Sequence, residues 1–185
     1  GVDLKEAVNQ IMRYRKHSYQ WLFHFIQIFV VSNGVDSKYF ANSDKDIFYS
    51  NTFFWTDDNN IRITNLKEFS VVFLARDLLI KMMTKFTVLN DTEKIMMVMR
   101  PYQVYAAEAL IRQATMTSRN AYIWHTTGAG KTLTAFKTVQ ILATNPAIKK
   151  VVFLVDRKDL DTQTTEEFNK FEAGSVDATD RTDIL

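Results

Sequence analysis

Apolar residues recur at helical spacing in some stretches of the chain and at strand spacing in others. The first stretch predicts a helix that begins at the N-cap Asp3, with Glu6 completing a capping box, and runs towards Phe23. The residues that this helix turns towards the core are spaced three and four apart: Leu4, Ala7, Val8 and Ile11. An apolar strand is predicted over residues 25–31.

Turn-forming residues divide the next part of the chain into short elements. The dipeptide Asn33-Gly34 is a strong two-residue hairpin signal, and residues 38–41 are the predicted returning strand. The polar run 57–60 predicts another turn, and Asn65 caps a predicted helix that continues to about Lys85. Short strands followed by a helix are typical of an α+β segment.

The second half of the chain predicts a strand–loop–helix–strand unit. Residues 121–124 read as a short buried strand, and residues 133–144 carry apolar side chains at helical spacing. Asn145-Pro146 ends this helix, and residues 150–156 form an apolar run of the kind that parallel strands show when both faces are covered. Together these elements predict a βαβ unit with a right-handed crossover.

Length and composition set the frame for these elements. The 185 residues are 46% apolar, which allows one sizeable core or one core and part of another. The change of pattern predicts three parts, namely an α+β domain over 1–86, a connection over 87–99 and an α/β domain over 100–185.

Charge and cysteine content exclude several classes of protein. The net charge of +2 does not by itself indicate a nucleic-acid binder, and the absence of cysteine excludes disulfides and thiolate metal sites. No signal peptide is visible in the first residues, and the apolar stretch 21–31 is too short to cross a bilayer as a helix. We therefore expect a soluble, cytoplasmic protein with no membrane partner.

Residues 124–132 carry the chemistry of a nucleotide-phosphate cradle. Gly128 and Gly130 let the backbone turn its N–H groups towards phosphate oxygens. Lys131 supplies a cation for the β- and γ-phosphates, and the Thr132 hydroxyl is a ligand for Mg²⁺. The residues predicted to bind the nucleotide form one run: Thr127, Gly128, Ala129, Gly130, Lys131 and Thr132.

One residue departs from the usual form of this cradle. His125 stands where the pattern Gly-x-x-x-x-Gly-Lys-[Ser/Thr] has its first glycine. The alternative interpretation is an ordinary glycine-containing turn between a strand and a helix, with a lysine beside it. The predicted strand before the loop and the helix after it favour the nucleotide site.

The first helix carries a polar stripe as well as an apolar face. Gln10, Arg13, Tyr14 and His17 follow one another at the spacing of a single helix face. Each of these side chains can hydrogen-bond a phosphate oxygen of a nucleic-acid backbone. Polar helix faces are more often simply solvated, and the pattern alone leaves both interpretations open.

Four segments, in order along the chain, resemble the restriction subunit of type I restriction–modification enzymes. Residues 121–132 are similar to motif I of its superfamily 2 helicase motor, with a histidine at the place of His125, and residues 151–171 are similar to the next motor motif. The run 100–103 (Arg-Pro-Tyr-Gln) resembles its adenine-recognising Q motif, and Gln10-x-x-x-Tyr14 resembles a motif of its RecB-like nuclease domain.

This resemblance implies an α/β fold, with an α+β nuclease domain of the PD-(D/E)xK type followed by a RecA-like parallel-sheet helicase lobe. It implies that Gln103 contacts the adenine of ATP, whereas the alternative is a polar residue on a helix opened by Pro101. It also places Gln10 and Tyr14 beside the nuclease metal centre, although Tyr14 on pattern alone is equally a packed core residue.

DNA contacts are implied at two further positions. Arg13 lies on the stripe of the first helix, and Arg157 follows the predicted strand at 150–156, where the resemblance places the DNA backbone. A solvated arginine after an N-cap aspartate, Asp156, is the alternative. His17 and His24 have no partners at metal-ligand spacing and are interpreted as packing or surface histidines.

The function implied by the resemblance is ATP-dependent translocation and cleavage of double-stranded DNA, with ATP and Mg²⁺ as cofactors. Recognition and methylation would belong to partner specificity and modification (methyltransferase) subunits. The nuclease Glu-x-Lys pair and the motor Asp-Glu pair have no match in this chain, so we expect an internal fragment that is inactive alone.

Two other classes of protein stay open from the residues alone. One is a different P-loop enzyme, such as a small-molecule kinase, in which the N-terminal part binds the substrate. The other is a non-catalytic nucleic-acid-binding scaffold with a degenerate phosphate loop. DNA dependence of ATP turnover and binding of ATP–Mg²⁺ distinguish them.

Overall fold

A computed structural model describes residues 3–43, 45–155 and 158–176. The chain divides into two compact units. The first unit comprises Gly1–Val88 and Ile95–Tyr105, and the second comprises Leu89–Lys94 and Ala106–Leu185. The domain boundaries proposed from the sequence remain a prediction.

The first unit opens with helix α1, Leu4–His17. Asp3 is its N-cap as predicted, and the Asp3 carboxylate accepts a 3.0 Å hydrogen bond from the Lys5 N–H. The apolar face of α1 packs into a buried cluster, as its spacing predicts: Leu4, Val8, Phe29, Val31, Phe40 and Ile47.

The predicted continuation of α1 to Phe23 is wrong. The helix ends at His17, where the carbonyl of Tyr14 accepts hydrogen bonds from the Ser18 and Tyr19 N–H groups. A 3-10 helix, Trp21–Phe25, follows. Packing is the reason for the early end, because the Tyr19 ring leaves the helix to stack on Phe29 with ring centroids 5.9 Å apart.

The hairpin predicted at Asn33-Gly34 is present. Strand β1, Ile28–Ser32, pairs antiparallel with β2, Ser37–Ala41, and Ser32 faces Ser37 at its closed end. The loop has four residues rather than two, because the Asn33 Oδ1 accepts hydrogen bonds from the N–H groups of Val35 and Asp36 and so widens the turn.

A shorter hairpin follows at the predicted turn 57–60. Strands β3, Trp55–Thr56, and β4, Arg62–Ile63, pair antiparallel. The Asp57 carboxylate holds the turn by accepting hydrogen bonds from the N–H groups of Asn59 and Ile61. An isolated antiparallel bridge joins Phe53 to Tyr39 of β2.

The single helix predicted from Asn65 to about Lys85 is two helices. Asn65 caps α2, Leu66–Val72, as expected, and α3 spans Arg76–Thr84. Between them, Phe73 is fully buried against the rings of Tyr39 and Trp55, at centroid distances of 4.5 and 5.2 Å. Burial of this ring fixes the end of α2, and the chain re-enters a helix after the extended Ala75.

The segment 87–99, predicted as a connection, contains a pair of β-strands. Strands β5, Thr87–Asn90, and β6, Ile95–Val98, form a two-stranded sheet. Helix α4, Pro101–Met116, then begins at a proline, whose missing N–H and fixed φ suit the first helical position. The Tyr39 hydroxyl donates a 2.8 Å hydrogen bond to the carbonyl of Met99 just before α4, and so joins β2 to this segment.

The second unit contains a pair of packed helices, α5, Lys131–Ala143, and α6, Lys158–Phe171. The ring of Phe136 lies 5.4 Å from that of Phe168 and 5.0 Å from that of Phe171. The helix predicted over 133–144 is therefore confirmed, with its start two residues earlier. Nowhere in the described ranges is there a helix long and apolar enough to cross a membrane.

The two strands predicted around α5 are wrong. Residues 121–124 and 150–155 have no strand pairing in the described chain, so the described residues contain no βαβ unit. Trp124 and Leu154 are 89% and 92% exposed. A parallel strand satisfies its N–H and C=O groups only through neighbouring strands, and apolar sequence by itself supplies none. Asp156, the last residue of the second predicted strand, lies outside the described residues.

Candidate functional site

The loop before α5 requires its glycines. Gly130 is the N-cap of α5 with φ 75° and ψ 43°, which is the left-handed region. Gly128 also has a φ of 75°. A side chain at either position would strain the backbone by roughly 1–2 kcal/mol. No heavy atom lies within 4 Å of a Cβ built on Gly128, so the space beside it is open.

The start of α5 has backbone donors without partners inside the helix. The first hydrogen bond of the helix runs from the Thr134 N–H to the Gly130 carbonyl at 3.0 Å. The N–H groups of residues 131–133 therefore make no hydrogen bond within the helix. Gly130 has no side chain with which to cap them. A helix N-terminus in this state attracts anions, because the N–H groups and the helix dipole act together.

Lys131 places a cation on the same loop. Its Nζ donates a 3.3 Å hydrogen bond to the carbonyl of Thr126, at the other end of the turn, and the Ala129 N–H donates to the same carbonyl at 3.2 Å. Thr132 follows in the first turn of α5 and is half-buried. The six residues predicted to cradle the phosphates, 127–132, thus lie on one tight loop and one helical turn in the second unit.

Gln103 belongs to the first unit and has a defined structural role there. Its Oε1 accepts a 2.9 Å hydrogen bond from the Arg100 N–H, and the side chain is 4% exposed. This is the backward half of a capping box at the third position of α4. The structure therefore bears out the alternative interpretation, a polar residue on the helix opened by Pro101, and the contact with adenine stays a prediction.

The polar stripe of α1 is exposed as its spacing predicts, and it brings Gln10 and Tyr14 into direct contact. The Gln10 Nε2 donates a 2.5 Å hydrogen bond to the Tyr14 hydroxyl oxygen, and Tyr14 is 45% exposed. The alternative in which Tyr14 is a packed core residue is therefore wrong for the described chain. Arg13 and His17 lie on the same exposed side of the helix.

The predicted DNA contact at Arg157 has no described geometry, because Arg157 and the Asp156 before it lie outside the described residues. Among the residues that are described, no three His, Asp or Glu side chains are grouped as metal ligands.

Sequence reasoning missed a buried polar network in the second unit. Lys137 of α5 is only 7% exposed, and its Nζ donates a 2.8 Å hydrogen bond to Gln140 Oε1. The Gln140 Nε2 donates at 2.9 Å to the Glu172 carboxylate beyond α6. Burial lowers the pKa of Lys137, against the opposing effect of Glu172. Nothing in the local pattern distinguishes Lys137 from a solvated helix lysine.

Two protein-family models match the chain. The model for the N terminus of the type I restriction enzyme R protein matches residues 1–47. The model for the res subunit of type III restriction enzymes matches residues 96–183. The first match includes the Gln10–Tyr14 pair, and the second includes Gln103 and the loop before α5.

Known relatives cover the whole chain. The endonuclease subunit of the type I restriction enzyme SsaAORF53P of Staphylococcus saprophyticus is 57% identical over 182 residues, which are 98% of this chain and 20% of that protein. The corresponding SauCOLORF180P subunit of Staphylococcus aureus is 55% identical over 185 residues, which are 100% of this chain and again 20% of that protein. The chain therefore spans a fifth of the length of these two relatives.

A shorter relative is covered over more of its own length. It is the putative C-terminal part of the endonuclease subunit of the type I restriction enzyme MpnIIP of Mycoplasma pneumoniae. The two sequences are 41% identical over 141 residues, which are 71% of this chain and 68% of that protein.

Proposed function

Because the chain belongs to the family of type I restriction enzyme endonuclease subunits, we propose that the full-length protein hydrolyses ATP to translocate double-stranded DNA and cleaves that DNA. The observation that carries the proposal is the left-handed Gly130 at the start of α5, with Lys131 next to it. This combination puts helix N-terminal N–H groups and one ammonium on the same short loop, where both can bind one anion.

The loop fits ATP and Mg²⁺ as its ligands. Its open space beside Gly128 accommodates a phosphate group, and the N–H groups that precede the helical ladder of α5 are donors for phosphate oxygens. Lys131 binds the β- and γ-phosphates and stabilises charge on the transferred group, while the Thr132 hydroxyl is the protein ligand for Mg²⁺. The metal supplies charge neutralisation between the phosphates when it is bound.

Adenine is assigned to Gln103. An amide offers both a donor and an acceptor, so it can pair with the donor and the acceptor on the edge of adenine. The hydrogen bond from the Arg100 N–H holds this amide in one orientation, which supports its use as a selective contact. In this proposal Gln103 therefore selects ATP over GTP.

The DNA side of the function is assigned to the first unit and to the segment after residue 155. Gln10 and Tyr14 belong to a RecB-like nuclease centre, and Arg13 and Arg157 contact the DNA backbone. Residues 1–86 belong to the nuclease domain, 87–99 connect, and 100–185 belong to a RecA-like parallel-sheet lobe. The two family-model matches, over 1–47 and 96–183, support this division.

The proposal also includes the setting in which the protein works. It acts in the cytoplasm, in a complex with modification and specificity subunits that methylate and recognise DNA. The names of the relatives, which are subunits of type I restriction enzymes, support an assembly of this kind.

The test is Lys131→Ala in the full-length protein, assembled with its partner subunits. We expect DNA-stimulated ATP turnover to fall by about 100-fold or more, and translocation to stop, because a preorganised charge at the phosphoryl group is lost. Lys149→Ala is the matched control, since Lys149 is an exposed lysine of the same unit outside the loop.

Three outcomes would contradict the proposal. Wild-type translocation by Lys131→Ala would remove Lys131 from the site. ATP turnover that does not respond to DNA would favour a kinase or another P-loop enzyme. Failure of the full-length protein to bind ATP–Mg²⁺ would favour a non-catalytic scaffold.

A further inference from the structure

The hydrogen bond between Gln10 and Tyr14 has a direction. The amide nitrogen of Gln10 can only donate, so the Tyr14 oxygen accepts through a lone pair. The hydrogen of the phenol O–H therefore points away from Gln10. Because Tyr14 is 45% exposed, that hydrogen is available to an acceptor outside the chain.

A row of aromatic rings holds Tyr14 in place. Its ring lies 6.4 Å from that of Tyr19, which stacks on Phe29 at 5.9 Å, and Phe29 contacts Phe40 of the buried cluster at 5.5 Å. The Tyr14 carbonyl also accepts hydrogen bonds from the two N–H groups that end α1. These contacts restrain the position of the phenol ring, and the hydrogen bond from Gln10 then favours the outward direction of its O–H.

The charges around this O–H favour an anionic acceptor. Arg13 lies on the same exposed side of α1, and the last turn of the helix is basic: Arg15, Lys16 and His17. Lys16 pairs with Asp46 at 3.3 Å, whereas Arg13, Arg15 and His17 have no acidic side chain at ion-pair distance among the described residues. A phosphate oxygen of a nucleic-acid backbone is the acceptor that suits a donor in such surroundings.

We propose that Gln10 is a positioning residue that turns the Tyr14 O–H outward, and that this O–H donates a hydrogen bond to a phosphate oxygen of the DNA. The inference rests on the proposed nuclease function of the first unit. Tyr14 contacts a phosphate oxygen of the DNA. Gln10 does not contact the DNA itself but sets the direction in which the Tyr14 hydroxyl donates.

The experiment reverses that polarity in the full-length protein, assembled with its partner subunits. Gln10→Glu offers only acceptors to Tyr14, so the O–H turns inward and its bond to the phosphate is lost. We expect Gln10→Glu and Tyr14→Phe each to lower the DNA cleavage rate by roughly 10- to 100-fold, as for one hydrogen bond to a charged group. An unchanged thermal unfolding temperature reports that each variant is folded, and unchanged DNA-stimulated ATP turnover reports that the ATPase is intact.

Three further variants separate polarity from charge and from structure. Gln10→Lys restores a donor and should cleave at least about fivefold faster than Gln10→Glu, because a donor again faces the phenol oxygen. Asn9→Asp places a carboxylate on the same helix one residue away and should cleave at the wild-type rate. In the double variant, Gln10→Glu should add nothing to Tyr14→Phe, since the two changes remove one and the same bond.

Two results would overturn the inference while leaving the proposed function intact. One is wild-type cleavage by Gln10→Glu, and the other is a further loss when Gln10→Glu is added to Tyr14→Phe. A wild-type complex that neither turns over ATP in response to DNA nor cleaves DNA would overturn the proposed function, and this inference with it.

Discussion

The Gln103 side chain caps the N-terminus of α4, because its Oε1 accepts a 2.9 Å hydrogen bond from the Arg100 N–H. The same residue is the proposed reader of adenine. One acceptor position of the amide is therefore used inside the protein, and the remaining amide atoms are held in one orientation. Gln103 thus has two roles, to cap α4 and, as proposed, to select adenine, and two substitutions separate these roles.

Gln103→Glu should abolish the preference for ATP over GTP while keeping α4 stable. A carboxylate still accepts from the Arg100 N–H and suits the helix N-terminus, but it cannot donate to adenine. Gln103→Ala should lose both properties and destabilise the start of α4 by about 1 kcal/mol. Nucleotide competition in the ATPase assay measures the first effect, and hydrogen exchange of residues 101–116 measures the second. An unchanged ATP preference in Gln103→Glu would remove Gln103 from the nucleotide site.

Lys137→Met should stabilise the second unit by about 1 kcal/mol near neutral pH. The substitution keeps the buried aliphatic part of the side chain but removes an ammonium group whose desolvation on burial is unfavourable. Because the folded pKa of Lys137 is lowered from 10.5, the unfolded chain binds more protons, and wild-type stability rises as the pH increases towards 10.5. The advantage of Lys137→Met should therefore shrink as the pH approaches 10.5.

Hydrogen exchange of residues 131–143 at neutral pH and thermal unfolding from neutral to alkaline pH provide the measurements. Lys137→Ala is the control, because it removes the same charge but leaves a cavity and should destabilise the unit. A constant difference between Lys137→Met and wild type across the pH range would show that Lys137 does not titrate differently on folding.

Tyr39→Phe should destabilise the first unit by roughly 1–3 kcal/mol, because it leaves the buried Met99 carbonyl without its donor. Desolvation by burial raises the pKa of Tyr39 well above 10.0, despite the opposing charge of Arg100. The stabilisation by Tyr39 is therefore complete below pH 10.0 and is lost as the pH rises further. The difference between wild type and Tyr39→Phe should narrow above pH 10.0.

Urea unfolding followed by tryptophan fluorescence measures this difference, since Trp55 is buried 5.8 Å from the Tyr39 ring. Trp55→Phe is the control for the probe and should keep the pH dependence. Parallel pH profiles for wild type and Tyr39→Phe would contradict the assignment to Tyr39.

The local features of this protein follow from the sequence alone. Asp3 and Asn65 cap helices, Asn33-Gly34 lies in a hairpin loop, and Pro101 opens α4. Each depends on hydrogen bonds or backbone angles within about four residues, so the signal and the structure occupy the same short stretch. The glycine loop before α5 belongs to the same class, because Gly130 itself supplies the left-handed backbone that the turn requires.

The tertiary structure decided where elements end and which polar groups are buried. Stacking of Tyr19 and burial of Phe73 set helix ends that periodicity placed elsewhere, and the apolar segments 121–124 and 150–155 are not strands in the described chain. The burial of Lys137 was likewise decided by tertiary packing. These outcomes depend on partners distant in sequence, because a strand needs a neighbour and a buried side chain needs a surface to cover it. Local pattern specifies the turn and the cap, whereas packing and pairing decide how far each element extends.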